Sequence, residues 1–262
     1  MSIVRERLLA MKDLDANSAG FTDRALDPLR YDGQAPDPSE STGIILSMIP
    51  FGARVLDVGC GTGWISTLVR DIRRCTVVGI EPHAERAMEA GRRGINLVAG
   101  ELNGDSVLAL GRFDVVLFAD VLEHMPDPLS VLRLSRDLLE SRGCLITSVP
   151  NVAHWTVRLS LLRGRFNYDV SGIMDATHLR WFTAKGITQI LSRAGYDVVE
   201  FRASAGVWMH EYNQRPWSWL SPRLRNAVIR RTTLCFPALF GCQHVVKAVI
   251  HRNSGDDSRA KS

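Results

Sequence analysis

The sequence lacks the cysteine pairs that build disulfide frameworks or structural zinc sites. Its five cysteines are odd in number, scattered along 262 residues, and include no Cys-x-x-Cys pair. This usage argues against structural zinc and is typical of a reducing compartment, so a cytoplasmic location is expected.

Long apolar runs are also absent. No stretch of about 18 apolar residues occurs, so no membrane span is expected. Arg5, Glu6 and Arg7 interrupt the apolar residues near the start, which leaves no hydrophobic region for a signal peptide. The chain shows no internal repeat and no dedicated nucleic-acid-binding module. With 45% hydrophobic and 23% charged residues, it can bury one sizeable core.

Acidic residues are scarce in the C-terminal third. The net charge is only +4, but Glu211 is the single acid between residues 206 and 252. The basic residues of this stretch are Arg215, Arg223, Arg225, Arg230, Arg231, Lys247 and Arg252, and they are interleaved with Trp208, Trp217 and Trp219. Two interpretations stay open: a solvated helix face above packed tryptophans, or peripheral contact with an anionic membrane surface or a phosphate-bearing substrate.

Short apolar segments alternate with segments of helical length. The strand-like segments are ARVLDVG, CTVVGIE, GINLVAGE, FDVVLFAD, GCLITSVP, YDVVEFRAS and QHVVKAVIHR. This rhythm predicts an α/β fold with a seven-stranded, mostly parallel, Rossmann-like sheet that has helices on both faces.

Three segments fall outside the alternation. Residues 1–50 are polar and predict an N-terminal helical or cap segment before a main domain over residues 51–252. Residues 150–182 are too long for an ordinary strand-to-helix loop and directly follow the fifth strand. We therefore expect a lid insertion over the ligand crevice at the carboxyl ends of the strands. Residues 253–262 predict a disordered tail.

The segment VLDVGCGTGWIS contains a strand, then Asp57 and three glycines, and then the start of a helix. Glycines let the backbone turn tightly and approach a ligand, and the helix that follows offers unpaired N–H groups. Gly59, Gly61 and Gly63 have GxGxG spacing, whereas GxGxxG seats a pyrophosphate, so a nicotinamide-dependent oxidoreductase is disfavoured. Glu81 ends the second strand, where a carboxylate can accept hydrogen bonds from ribose hydroxyls. The combination predicts a cofactor site.

On these residues, the chain from about Gly43 to Arg252 resembles the class I S-adenosylmethionine-dependent methyltransferases. The resemblance implies S-adenosylmethionine as the cofactor, with Glu81 holding the ribose. It implies as cofactor-binding residues Asp57, Gly59, Cys60, Gly61, Gly63, Glu81, Glu101, Leu102, Ala119 and Asp120. Asp105 competes with Glu101 for the position of the acid near the adenine.

The segment FADVLEHMPDP carries two acids and an imidazole at spacing i, i+3, i+4, which would place them on one face of a helix. It resembles the ExxEH segment of the ubiquinone-pathway O-methyltransferases, which is associated with a divalent metal. Asp120, Glu123 and His124 would then hold Mg²⁺ or Mn²⁺. We favour the alternative in which no metal binds and these residues brace the loop or contact the substrate.

Methyl transfer to an alcohol or phenol needs a general base. The candidates are His154, His178 and His124, with Asn151 and Asp175 nearby in the sequence, and each histidine could instead be structural. The insertion resembles that of bacterial small-molecule methyltransferases that modify sugars, polysaccharides or secondary metabolites. O-methylation of a hydroxyl on a sugar or polysaccharide precursor, or on another small metabolite, is therefore the expected function.

Three alternatives remain. One is metal-assisted O-methylation of a phenolic or quinone-like acceptor. Another is a cofactor-binding module without turnover. RNA methylation is the third, given the basic C-terminal third.

Overall fold

Seven β-strands form a single sheet within residues 36–251, the part of the chain that the computed structural model describes. They are β1 (Arg54–Val58), β2 (Thr76–Glu81), β3 (Asn96–Ala99), β4 (Phe113–Ala119), β5 (Leu139–Pro150), β6 (Tyr196–Ala203) and β7 (Gln243–Ile250). Their spatial order is β3-β2-β1-β4-β5-β7-β6, and β7 runs antiparallel to both of its neighbours. The seven-stranded, mostly parallel sheet is confirmed.

Helices connect the strands and cover both faces of the sheet. They are α1 (Ser41–Met48), α2 (Trp64–Arg73), α3 (Ala84–Arg92), α4 (Gly104–Leu110), α5 (Pro128–Leu134), α6 (Trp155–Leu162), α7 (Ala184–Arg193), α8 (Pro222–Cys235) and α9 (Pro237–Phe240). Thr183 and Ser221 cap α7 and α8, because each side chain accepts a hydrogen bond from a first-turn backbone N–H. No described helix is long and apolar enough to cross a bilayer.

The central strands bury apolar side chains on both sides. Leu56 and Val116 pack into the core under one face, whereas Val55 and Val115 pack into the core under the other. Successive residues of a strand point to opposite faces, so a sheet covered on both sides needs uninterrupted apolar runs. This requirement explains the segments that predicted the strands.

The described part of the predicted N-terminal segment joins the main core. Ile44 and Ile45 of α1 are buried in the same cluster as Val55. Glu40, which precedes α1, accepts hydrogen bonds from the backbone N–H groups of Gly206 and Val207 in the loop after β6. The boundary at residue 50 stays a prediction, and the expectations for residues 1–35 and for the 253–262 tail lie outside the described residues.

His244 on β7 is a fully buried histidine whose ring contacts Phe201 at a centroid distance of 5.0 Å. Neither ring nitrogen has a hydrogen-bond partner among the described residues. Burial lowers the pKa of His244 to about 4. His154 is equally buried, but its Nδ1 lies 2.8 Å from the Thr156 hydroxyl and its Nε2 lies 3.4 Å from the Tyr212 hydroxyl.

We expect His244→Leu to raise the free energy of unfolding by about 1–2 kcal/mol at neutral pH, because it removes an unsatisfied buried polar group. The gain should widen as pH falls from 6.5 toward about 4, since the unfolded chain takes up a proton that the folded chain excludes. Urea-induced unfolding on either side of this window measures both effects. His154→Leu is the control and should destabilise the fold, and a destabilised His244→Leu would contradict the explanation.

Candidate functional site

The glycine-rich segment forms a left-handed turn between β1 and α2. Gly59, Gly61 and Gly63 have φ values of +72°, +58° and +76°, a region that disfavours side chains. A Cβ at Gly59 would lie 2.8 Å from a Val121 methyl, and one at Gly63 would lie 3.0 Å from Ala90. A Cβ at Gly61 would meet nothing within 4 Å. Packing therefore requires two of the glycines, while the third leaves open space beside the backbone.

Two buried carboxylates flank this turn. Asp57 accepts a hydrogen bond from the Ser66 hydroxyl of α2 at 2.6 Å. Glu81 accepts one from the backbone N–H of Gly61 at 2.8 Å and another from that of His83 at 2.9 Å. A carboxylate offers about four lone-pair sites, so Glu81 can fix the turn and still accept bonds from two ribose hydroxyls.

Burial perturbs the titration of two residues at the turn. Burial is the main cause that raises the pKa of Asp57 to about 7, a net value that includes the lowering by the Ser66 hydrogen bond and the raising by the charge of Glu81. Burial also raises the pKa of the Cys60 thiol, which keeps the sulfur protonated. The Cys60 Sγ atom lies 2.6 Å from where a Cβ at Gly79 would stand. The Cys60 side chain thus serves packing, and its backbone belongs to the turn.

The segment after β3 supplies the remaining candidates for the cofactor site. The side chains of Glu101 and Asp105 are both exposed, whereas Leu102 is buried in the core under one face of the sheet. Gly100 has a φ of +127°, so the backbone turns sharply just before them. Contact of Glu101 or Asp105 with the adenine stays a prediction.

Asp120 lies in a strained backbone position at the end of β4, directly after Ala119, with a φ of +54°. Its Oδ1 atom accepts a hydrogen bond from the Ser148 hydroxyl at 2.7 Å, and its Oδ2 atom accepts one from the Gln243 amide at 2.8 Å. Burial raises the pKa of Asp120, and both bonds lower it. Sequence reasoning missed Ser148 and Gln243, because they lie 28 and 123 residues away along the chain.

Glu123, His124 and His178 form a compact group whose ligating atoms all lie within 4.8 Å of one another. Glu123 and His124 come from the 3-10 turn Leu122–His124, and His178 comes from the insertion after β5. Glu123 is 1% exposed, and neither of its carboxylate oxygens has a hydrogen-bond partner in the described part of the chain. Burial raises the pKa of Glu123 well above its ordinary value, and the charge of Asp120 adds to this effect.

Backbone carbonyls orient both imidazoles of the group. Nδ1 of His124 lies 3.2 Å from the carbonyl oxygen of Thr177. Nδ1 of His178 lies 3.1 Å from the carbonyl oxygen of Ile173, and the two rings meet edge-on with centroids 4.9 Å apart. A carbonyl only accepts hydrogen bonds, so these contacts assign the proton of each neutral ring to Nδ1.

The insertion returns to the sheet beside this group. Asn151 and Phe182 pair in an isolated bridge, which joins the two ends of the segment. The backbone N–H groups of Leu179 and Arg180 donate to the carbonyl of Glu123 at 2.8 and 2.9 Å. The segment also contains α6 and a cluster of three aromatic rings, Phe166, Tyr168 and Trp181. Its role as a lid stays a prediction.

His154 belongs to a second cluster, where its ring lies near those of Trp155 and Tyr212. It is fully buried, and burial lowers its pKa to about 4. Asn151 is also fully buried and donates to the carbonyl of Gly241 at 2.8 Å. The structure thus brings His124 and His178 together and gives His154 a structural environment, although its predicted catalytic role is untested.

Comparisons with known proteins identify the family of the chain. A family model described as "Methyltransferase domain" matches residues 19–201. The ubiquinone biosynthesis O-methyltransferase of Cereibacter sphaeroides is 27% identical over 198 residues, which cover 70% of this chain and 76% of the relative. That of Escherichia fergusonii is 34% identical over 109 residues, which cover 38% of this chain and 44% of the relative.

Solved structures share the fold at low sequence identity. One is a SAM-dependent methyltransferase, possible histamine N-methyltransferase, from Thermotoga maritima. It superposes with a TM-score of 0.56 at 18% identity, over 95% of this chain and 99% of that chain. The Rossmann-like fold expected from the sequence is confirmed.

Gly61→Ala should weaken binding of S-adenosylhomocysteine by at least about tenfold, because the new methyl group would enter the open space beside the turn. Gly52→Ala is the matched control, because Gly52 has a φ of +73° and its Cβ would also meet nothing within 4 Å. Gly52 lies before the amino end of β1, away from the glycine turn at the carboxyl end. Both variants should lose about 1 kcal/mol of stability through backbone strain. Calorimetric titration and thermal unfolding measure the two effects, and equal affinities would contradict the assignment.

Proposed function

The chain belongs to the methyltransferase-domain family, and from this premise we propose that it transfers the methyl group of S-adenosylmethionine to a hydroxyl oxygen of a small phenolic acceptor. The family membership confirms the S-adenosylmethionine-dependent methyltransferase class and its cofactor. The names of the relatives support transfer to oxygen and favour a phenolic acceptor over a sugar. A sugar or polysaccharide precursor stays the second candidate.

The position of the Glu123, His124 and His178 group carries the proposal. Val121 packs against Gly59 so closely that a Cβ there would lie 2.8 Å from one of its methyl groups. The 3-10 turn that begins at the next residue is therefore held directly against the glycine turn. This contact brings the group next to the expected methionine half of the cofactor.

Different residues at the carboxyl ends of the strands contribute to cofactor binding and to proton transfer. When bound, S-adenosylmethionine supplies a methyl group on a sulfonium centre. Glu81 and the backbone at Gly61 hold the ribose end, and Asp120, fixed by two hydrogen bonds, lines the methionine end. In-line displacement then requires the acceptor oxygen to be aligned and water to be excluded.

A histidine of the group removes the proton of the acceptor hydroxyl. With the ring proton on Nδ1, Nε2 of His124 or His178 carries the lone pair that accepts it. The carboxylate of Asp120, whose pKa the charge of His178 lowers, favours the imidazolium that results. His154 is a weaker candidate, because its ring is fully buried and hydrogen-bonded on both sides.

A transfer assay with isotopically labelled S-adenosylmethionine tests the acceptor class. We expect label on a catechol and none on a nucleotide sugar. His178→Gln should lower kcat by about 100-fold and leave S-adenosylhomocysteine affinity unchanged. His210→Gln is the control, since its imidazole is exposed. Label on the sugar alone would support the second candidate, and cofactor binding without transfer to any acceptor would support a binding module.

We also propose that α8 contacts an anionic membrane surface. No acid occurs between residues 212 and 251. The outward residues of α8 recur at a spacing of three or four, and they are Arg223, Leu224, Ala227, Arg230, Arg231 and Leu234. Of these, Arg230 pairs with Asp37 at 2.7 Å. Leu234 is 81% exposed, and Trp219 just before the helix is 73% exposed. Exposed apolar side chains among arginines match an anionic lipid headgroup layer.

Cosedimentation with anionic phospholipid vesicles, compared with neutral ones, tests this contact. The wild-type chain should bind the anionic vesicles, and binding should weaken as salt rises. Leu234→Ser together with Arg231→Glu should reduce binding by about tenfold or more. Leu108→Ser is the control, because Leu108 is 88% exposed on α4. Equal losses in the control, or no preference for anionic lipid, would contradict the proposal.

A further inference from the structure

We infer that Gln243, the first residue of β7, is a positioning residue for the cofactor, because it holds the Asp120 carboxylate in place to bind the α-ammonium group of S-adenosylmethionine. This role rests on the proposed function, in which the methionine half of the cofactor lies beside Asp120. The sequence segments that predicted the cofactor site do not include Gln243. Its role therefore comes from the geometry of the sheet.

Three strands bring polar side chains together at one edge of the sheet. Asp120 directly follows β4, and Ser148 lies near the end of β5, which runs parallel to β4. β7 runs antiparallel to β5, with Gln243 opposite Pro150, the last residue of β5. The start of β7 therefore lies at the same edge as the ends of β4 and β5. Open α/β sheets bind their ligands at this edge.

Ser148 fixes both the backbone and the side chain of Asp120. The backbone N–H of Asp120 donates to the Ser148 hydroxyl oxygen at 3.0 Å, and that hydroxyl donates back to Oδ1 of Asp120 at 2.7 Å. This reciprocal pair stabilises the left-handed backbone of Asp120, whose φ is +54°. Ser148 is fully buried, and hydrogen bonds in such surroundings are stronger than those in water.

Gln243 fixes the direction in which the carboxylate faces. Its Nε2 atom donates to Oδ2 of Asp120 at 2.8 Å. With one bond on each oxygen, the carboxylate cannot rotate about its Cβ–Cγ bond without losing a partner. Both donors are neutral, so neither compensates the negative charge, and about two of the four lone-pair sites remain. Asp120 and Gln243 are both half-buried, so a ligand can reach them.

The glycine turn determines which part of the cofactor meets Asp120. Val121, the next residue, packs against Gly59, and Glu81 binds the backbone of Gly61 further along the turn. In the proposed function the ribose lies on Glu81, which leaves the Gly59 side of the turn for the amino-acid end. The α-ammonium is a compact cation with three N–H donors. It complements a carboxylate that has open acceptor sites.

Calorimetric titration with two ligands tests this role without any methyl-transfer assay. One ligand is S-adenosylhomocysteine, and the other is its deamino analogue, which keeps the carboxylate but lacks the α-amino group. Wild type should bind S-adenosylhomocysteine at least about tenfold more tightly, because a charge-assisted hydrogen bond is a strong one. Asp120→Asn removes the charge, and the Gln243 amide can turn over to accept from the new amide. This variant should bind the two ligands within about threefold of each other.

Gln243→Leu removes the donor and leaves the Asp120 carboxylate able to turn. It should lower the preference for S-adenosylhomocysteine by at least about threefold, with the affinity for the analogue within about twofold of wild type. Added to Asp120→Asn, it should lower the preference no further, since the two residues act as a unit. Gln214→Leu is the matched control and should behave as wild type, because Gln214 is exposed.

Thermal unfolding without ligand checks that each variant folds. If Gln243→Leu does not fold, Ser148→Ala removes the other donor and should lower the preference in the same way. Equal loss of both ligands in Gln243→Leu, or a further loss of preference in the double variant, would overturn the positioning role. Equal affinities of wild type for the two ligands would overturn the binding of the ammonium by Asp120. Absence of either complex with wild type would contradict the proposed function itself, a result distinct from the other two.

Discussion

The contact between Val121 and Gly59 is the constraint on which the site depends. The side chain of Val121, two residues after the end of β4, lies 2.8 Å from the position that a Cβ at Gly59 would take. Two loops that follow neighbouring strands are thereby packed directly against each other. One loop carries the glycine turn, and the other carries Asp120, Glu123 and His124. In the proposed function, this contact places the cofactor loop beside the residues that act on the acceptor.

Glu81 shows how one side chain can serve two purposes in such a site. Its carboxylate accepts hydrogen bonds from the backbone N–H groups of Gly61 and His83, so it fixes the shape of the glycine turn. The same oxygens have capacity left for the ribose hydroxyls of the proposed function. Ribose binding would then add hydrogen bonds to an arrangement already in place, which would limit the entropy lost on association.

The sequence was informative where chemistry and spacing are local. The apolar runs predicted all seven strands, because a sheet covered on both faces requires them, and Asp57, Gly59, Gly61, Gly63 and Glu81 meet at the predicted edge. It failed where partners are distant along the chain. The segment FADVLEHMPDP does not indicate that Ser148 and Gln243 donate hydrogen bonds to Asp120. It also does not indicate that the ring of His178 contacts that of His124. The i, i+3, i+4 spacing suggested a continuous helix, whereas a 3-10 turn carries Glu123 and His124 and separates them from Asp120.

The hydrogen bond between Asp120 and Gln243 also links the site to the order in which the chain is made. Gln243 is the first residue of the last strand and lies 123 residues after its partner. β7 must insert between β5 and β6, both of which are synthesised earlier. Closing so long a loop is entropically costly, and contacts of this separation form late in folding. A nascent chain can therefore complete the glycine turn between β1 and α2 before β7 supplies the Gln243 amide that holds Asp120, so the two halves of the site form at different stages of folding.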